Sequence, residues 1–159
     1  MINTESDVQT KGWVDYEILY KSGECIKGTW NNTVLRNGKI ALAMGLAREV
    51  DDPFSFYVDQ MQFGTNGTTG GVPKFVDEAR NGLFGPILLS KNVIARVEDP
   101  APTTAIFTSV ITFDEAVGST LNEMALQLAN DNLYSMVTFP DLGKTSEMQI
   151  TFNWRVSLL

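Results

Sequence analysis

The 159-residue sequence contains no histidine. That absence removes the commonest general acid/base and the commonest transition-metal ligand together. There is one cysteine, Cys25. A lone thiol forms no internal disulfide, and without a histidine partner nothing activates it as a nucleophile. Lying in a strand-like segment, Cys25 is expected to be a small core residue. Basic residues are also scarce: 12 Lys and Arg stand against 19 Asp and Glu, for a net charge of -7 and a pI near 4.5. The surface is therefore not of the kind that neutralises nucleic-acid phosphates. Long apolar runs are missing too, since the longest, Ile40–Ala47, falls far short of a membrane span. The opening MINTESDVQTKGW has neither a basic nor an apolar leader region, so no secretory signal is expected. The sequons at Asn31 and Asn66 are then expected to be plain turn residues.

What is present describes one folded domain. Hydrophobic residues make up 43% and charged residues 19%, the balance of a globular chain of ordinary domain size. Residues 1–11 are polar and aperiodic and read as a flexible N-terminal arm, and residues 12–159 as a single β-rich domain. Trp13–Tyr20 and Cys25–Trp30 flank a Lys-Ser-Gly-Glu turn and predict a hairpin. Asn31-Asn32-Thr33 supplies helix-capping residue types, and a helix is expected near 33–49 with Leu35, Ala43, Leu46 and Ala47 on its apolar side, before Asp51-Asp52-Pro53 ends it. Strands are expected over Phe54–Phe63, around Ile87–Leu89 and Val93–Val97, and over Ala105–Phe113; Phe75–Asn81 is at most a short helical turn. The last third alternates most cleanly. Met124, Leu126 and Leu128 lead to an Asn130-Asp131-Asn132 turn, and Leu133, Ser135, Val137 and Phe139 return. Met148, Ile150, Phe152, Trp154, Val156 and Leu158 then share one face of a final strand. The expected fold is an antiparallel β-sandwich or barrel-like domain with one inserted helix.

Four glycines and a lysine crowd the stretch FGTNGTTGGVPK, residues 63–74. A P-loop needs G-x-x-x-x-G-K-[ST], but Thr69 stands five residues after Gly64 and Lys74 follows Val72-Pro73. A dinucleotide fingerprint fails as well, because Gly64, Gly67 and Gly70 are spaced at threes. Pro73 also removes an N–H where a phosphate-binding helix would begin. The glycines are read instead as permitting φ > 0 in an extended loop. Adjacent carboxylates (Asp51-Asp52, Asp77-Glu78, Asp114-Glu115) sit at element ends and read as solvated turn residues. Asn130-Asp131-Asn132 lacks the alternating ligands and bidentate carboxylate of a calcium loop. Glu123 lies beside core positions, and a structural ion pair with Arg155 or Lys144 is expected. No catalytic residue, cofactor site or metal site is expected, and neither a membrane nor a small-molecule substrate.

Several pieces occur in a telling order. Leu121-Asn122-Glu123-Met124-Ala125-Leu126 leads into Asn132–Phe139, then Lys144-Thr145, then Ile150-Thr151-Phe152-Asn153-Trp154. Upstream stand Asn32–Ala41 and Met61-Gln62-Phe63-Gly64-Thr65-Asn66-Gly67. In this order the chain, over roughly residues 31–158, resembles tailed-bacteriophage virion structural proteins. It departs from their pattern at Met124-Ala125 and in having no arginine after Ser135. The resemblance implies a non-enzymatic component of the particle, of neck, collar or tail-associated type. Capsid decoration, or a fibre or receptor (carbohydrate) binding module, is the alternative. It also implies assembly in the host bacterial cytoplasm, into a virion, through contacts with other virion proteins and with copies of itself in a ring or trimer. The expected contact residues are Trp13 at the end of the arm, and Gly64, Thr65, Asn66, Gly67 and Lys74 in the glycine loop.

Overall fold

The structure, a computed structural model, describes residues 10–47, 57–100 and 103–158. Most of the expected arm (1–9) and the start of the strand expected from Phe54 lie outside the described residues. Among the described residues, twelve strands and one helix occur in the order β1 (Thr10–Tyr20), β2 (Cys25–Asn31), β3 (Thr33–Val34), α1 (Arg36–Ala47), β4 (Val58–Gly64), β5 (Thr68–Thr69), β6 (Val72–Pro73), β7 (Leu89–Asn92), β8 (Ile94–Val97), β9 (Thr104–Ile111), β10 (Thr120–Leu128), β11 (Leu133–Gly143) and β12 (Met148–Leu158).

Two five-stranded antiparallel sheets make a sandwich that does not close into a barrel. The first has the order β2-β1-β12-β9-β8 and the second β3-β11-β10-β4-β7. The chain changes sheet at both sides, through Asn32 between β2 and β3 and through Val93 between β7 and β8. The expected hairpin β1–β2 is present. β1 begins earlier than expected, however: Thr10 and Lys11 lie opposite Leu158 and Ser157, so they are strand residues and not arm.

The alternation of β12 explains its central place. Met148, Ile150, Phe152, Trp154 and Val156 are buried, and the residues between them are half-buried up to Arg155. A strand this regular presents one apolar face to the opposite sheet. There it meets Met61, Phe63, Met124, Leu126, Val137 and Phe139. Aromatic rings bridge the gap: Trp30 of β2 stacks on Phe139 of β11 with centroids 4.0 Å apart, and on Tyr16 at 4.1 Å. Phe63 tilts against Phe152 at 5.1 Å. Such pairs add to the area they bury.

A second, smaller core lies on the other face of the second sheet. Leu35, Val76, Leu83, Ala125, Leu133 and Met136 form it, so β10 is buried on both sides. Its roof is the chain between β4 and β7, residues 65–88, whose two ends meet where Phe63 pairs with Leu89.

Two local expectations need correction. Helix α1 starts at Arg36, not Thr33. Thr33 belongs to β3, and the Arg36 N–H bonds the Glu78 carbonyl at 2.8 Å in place of a side-chain cap. The buried side of α1 carries Gly38 and Ala41, whereas Leu46 is 90% exposed. Gly38 is needed there because a Cβ would collide with the Tyr134 carbonyl oxygen. As expected, residues 75–81 hold no more than a turn, in which the Arg80 N–H bonds the Asp77 carbonyl. Cys25 is exposed rather than buried, because it opens an edge strand opposite Leu19, which is itself exposed.

Phe139→Ala removes a fully buried ring and the partner of Trp30. It is expected to cost about 3–5 kcal/mol, measured as a drop in the urea midpoint at unchanged slope.

Candidate functional site: the loop between β4 and β7

Opposite Asn122 the ladder of β10 and β11 is irregular: Leu121 pairs with Leu142, but Glu123 already pairs with Thr138. The extra residues lie on β11 and include Pro140, which has no N–H to give a ladder. This bulge carries Asp141 to Asn122. Asn122 and Glu123 are both buried, and both serve the loop.

Glu123 has no exposed surface. Its Oε1 accepts the N–H groups of Asn66 at 3.1 Å and Gly85 at 3.2 Å, and Oε2 accepts that of Phe84 at 2.7 Å. A buried carboxylate is tolerated when donors replace its lost water, and here the donors are main-chain amides from two separate turns of one loop. Asn122 adds a second clamp. Its Oδ1 accepts the Gly67 N–H at 2.7 Å. Its Nδ2 donates to Thr68 Oγ1 and to Asp141 Oδ1, each at 3.0 Å, and the Thr68 hydroxyl donates to Asp141 at 2.7 Å.

The glycines divide into two kinds. Gly70 and Gly71 have φ of +58° and +79° and turn the small β5–β6 hairpin, the backbone signature of a type I′ turn. Gly64 and Gly67 do not have positive φ; they are glycine for lack of room. A Cβ on Gly64 would stand 2.6 Å from Glu123 Oε1, and one on Gly67 would meet the Asn122 carbonyl oxygen. The expectation that all four permit an extended loop is therefore corrected at these two positions.

Lys74 closes the first turn. Its N–H bonds the Gly67 carbonyl at 2.8 Å and its ammonium donates to the Asn66 carbonyl at 2.7 Å. That ammonium lies 5.0 Å from the centre of the Phe84 ring, and the Arg80 guanidinium lies 3.7 Å from it. The Thr138 hydroxyl donates to the Lys74 carbonyl at 2.7 Å. Further along, the Asn81 side chain accepts the Leu133 N–H through Oδ1 at 2.8 Å, and Lys39 pairs with Glu78 at 2.9 Å. A glycine-rich loop that points its N–H groups inward is the geometry of an anion cradle. In this chain the anion is its own Glu123.

The expected ion pair of Glu123 is not formed. Arg155 bonds Asp15 through Nε and Glu98 through Nη1, both at 2.9 Å. Lys144 is buried and donates to the carbonyls of Phe113 at 3.1 Å and Thr145 at 2.8 Å. Burial pulls its ammonium below the usual lysine range, against the opposing pull of Asp114 and Glu115. Arg155 points away from the core on the first sheet and Glu123 away from it on the second, so the sandwich stands between them.

Of the expected contact residues, Thr65 and Asn66 are exposed, Lys74 is half-buried, and Gly64 and Gly67 are sealed against Asn122 and Glu123. Trp13 is half-buried in β1 opposite Arg155 and Asn31, in the first sheet, and is not brought to the loop. The loop instead exposes Val72 at 66% and Phe75 at 87%. Sequence reasoning passed over these two, and also Asn122, Phe84 and Gly85. The available signal was the polar pair Asn122-Glu123 inside an otherwise apolar strand. Among the described residues no group of three or more Cys, Asp or Glu could hold a metal ion, and no helix is long and apolar enough to cross a membrane. Compared with protein-family models, curated proteins and solved structures, the chain has no match.

Glu123→Gln turns one acceptor into an NH2 group that must face a main-chain N–H. A loss of about 1–3 kcal/mol is expected, with protease cleavage appearing first within residues 65–88. The Asp141 carboxyl is held below its ordinary 3.8 by the bonds from Thr68 and then Asn122. A depressed carboxyl stabilises the fold above its unfolded value and loses that contribution as pH falls through the folded one. In a carboxyl NMR titration its midpoint is expected below 3.8, and Asn122→Ala is expected to move it upward.

Proposed function

We propose that the chain is a non-enzymatic structural subunit of a tailed-bacteriophage particle. In this reading it is a neck, collar or tail-associated protein that assembles in the host cytoplasm with other virion proteins and copies of itself. One observation carries the reading. Two of the sequence pieces behind the resemblance, Met61–Gly67 and Leu121–Leu126, meet around Glu123 and Asn122, and together they hold a long loop in a defined shape. Long loops whose only regular structure is a pair of two-residue strands, here β5 and β6, are usually functional when ordered. This one uses its polar main chain on the fold itself and turns Val72 and Phe75 outward. That arrangement suits a rigid contact with a neighbouring subunit, for which shape matters and catalytic groups do not.

Capsid decoration is compatible with the same surface and differs in the neighbour contacted. A carbohydrate-binding module calls for several aromatics on a concave face. Among the described aromatics the exposed ones are Tyr57 and Phe75, and Phe75 sits on the loop, so the structural reading is preferred.

The test is the mass of the full chain in solution together with that of two variants. A ring or trimer is expected for the full chain. Deletion of residues 1–9, which spares the β1 pairs of Thr10 and Lys11, is expected to leave a folded domain that assembles weakly. Phe75→Asp is expected to weaken assembly while folding stability stays within about 0.5 kcal/mol. A monomer that binds glycans would overturn the proposal.

A further inference from the structure

β8 is the last strand of the first sheet and, among the described residues, pairs only with β9. All four of its residues are exposed, Ile94 at 74% and Val97 at 59%. An open edge of this kind invites another strand, and proteins usually block it with proline, bulges or charge. Here the sole charge within the strand is Arg96, which has no partner among the described residues. The other edges differ. On β2, Lys27 is paired with Glu17 at 3.4 Å. On β7, Lys91 is bonded to Glu115 at 2.7 Å. β3 has two residues.

Arg96 also decides which strand fits. Two copies of β8 in full antiparallel overlap would set each Arg96 opposite Ala95, on the groove side of the other copy, where its charge is unanswered. A strand bearing an acid at that position would be favoured instead. The sequence before β1 has this character: Asn3, Glu5 and Asp7 alternate with Ile2, Thr4, Ser6 and Val8. Residues on one face of β8 are Ile94 and Arg96, and on the other Ala95 and Val97. Ala95 and Val97 line an apolar groove of about 380 Å³ between the sheets, with Ala105, Phe107, Val156 and Leu158. Placing Glu5 opposite Arg96 in antiparallel register sets Thr4 and Ser6 opposite Val97 and Ala95. Val8 then falls opposite Val93, so the apolar and small side follows the groove and the acidic side meets the cation. With residues 2–8 paired, only Gln9 separates the added strand from Thr10, so the register requires the neighbour's β8 to lie within about 7 Å of the start of β1.

We infer that the β8 edge accepts residues 2–8 of a second copy of this chain as an added strand, in the register that pairs Glu5 with Arg96. This rests on the reading of the chain as a self-assembling subunit and names the seat of its arm. Main-chain bonds supply the attachment and the charge pair selects the register.

The test measures self-association of the full-length protein by sedimentation, for the native chain, the deletion of residues 1–9, Arg96→Glu, and the double variant Glu5→Arg with Arg96→Glu. Arg96→Glu is expected to weaken association about three- to tenfold with the thermal midpoint unchanged, and the double variant to restore it. If the native chain does not associate, the underlying reading falls with the inference; if the deletion associates as well as the native chain, the arm has no role and this inference alone is overturned. If the deletion dissociates but Arg96→Glu associates normally, or the double variant fails to recover, the arm has another seat and this inference alone is overturned.

Discussion

Everything between β4 and β7 depends on one carboxylate. Glu123 sits where no water reaches it and takes its hydrogen bonds from main-chain amides of two turns that are far apart in the loop. Each of those amides turns inward to a fully buried acceptor, and a donor left without a partner there costs more than the net worth of an ordinary hydrogen bond. The carboxylate thus lets a long irregular segment lie flat on a sheet. It can do so only because Gly64 and Gly67 bring the backbone close enough. Acid and glycines are one device, with its parts separated by more than fifty residues of sequence.

The same solution appears at the other buried charge. Lys144 gives its ammonium to the Phe113 and Thr145 carbonyls, while its own amide bonds the Ser119 carbonyl and its carbonyl accepts the Gly118 N–H. It therefore holds the turn between β9 and β10, as Glu123 holds the turns between β4 and β7. Among the described residues two opposite charges are buried, and neither answers the other. Each is solvated by backbone instead. A buried ion pair recovers its desolvation cost only with excellent geometry, whereas main-chain groups of the turns these side chains hold need a partner in any case.

The sandwich was legible because period-two alternation is written directly in the residues. β12 shows it from Met148 to Val156, and the β10–β11 hairpin was visible through its Asn-Asp-Asn turn. The helix was legible in existence but not in facing. Its buried side contains Gly38, and a glycine that admits a neighbour's carbonyl carries no hydrophobic signal. Cys25 was misjudged because residue type says nothing of edge or centre, which depends on the order of strands in the sheet. The site was legible only in parts. Glu123 stood out as a polar residue among core positions, and the glycine loop stood out by composition. That one fills the other is a tertiary fact, and local pattern suggested cations as partners for Glu123 because charges are visible in a sequence and inward-pointing amides are not. Phe75 and Val72 escaped notice for the opposite reason, since an apolar residue in a loop has no sequence mark of being outside.

The place of β12 bears on how this chain reaches its structure. In the first sheet it lies between β1 and β9, joining the β1–β2 hairpin to the β8–β9 pair. Each of those pairs is close in sequence and can form early at small entropic cost, whereas β12 must close a span of more than a hundred residues to reach β1. Until it arrives, the sheet is two separate ribbons with open inner edges and no wall for Phe63 and Phe139 to pack against. Folding is therefore expected to be slow for a domain of this size, as non-local β pairing generally is. During that interval the sticky surfaces of the nascent chain would be those same inner edges, which the finished molecule hides.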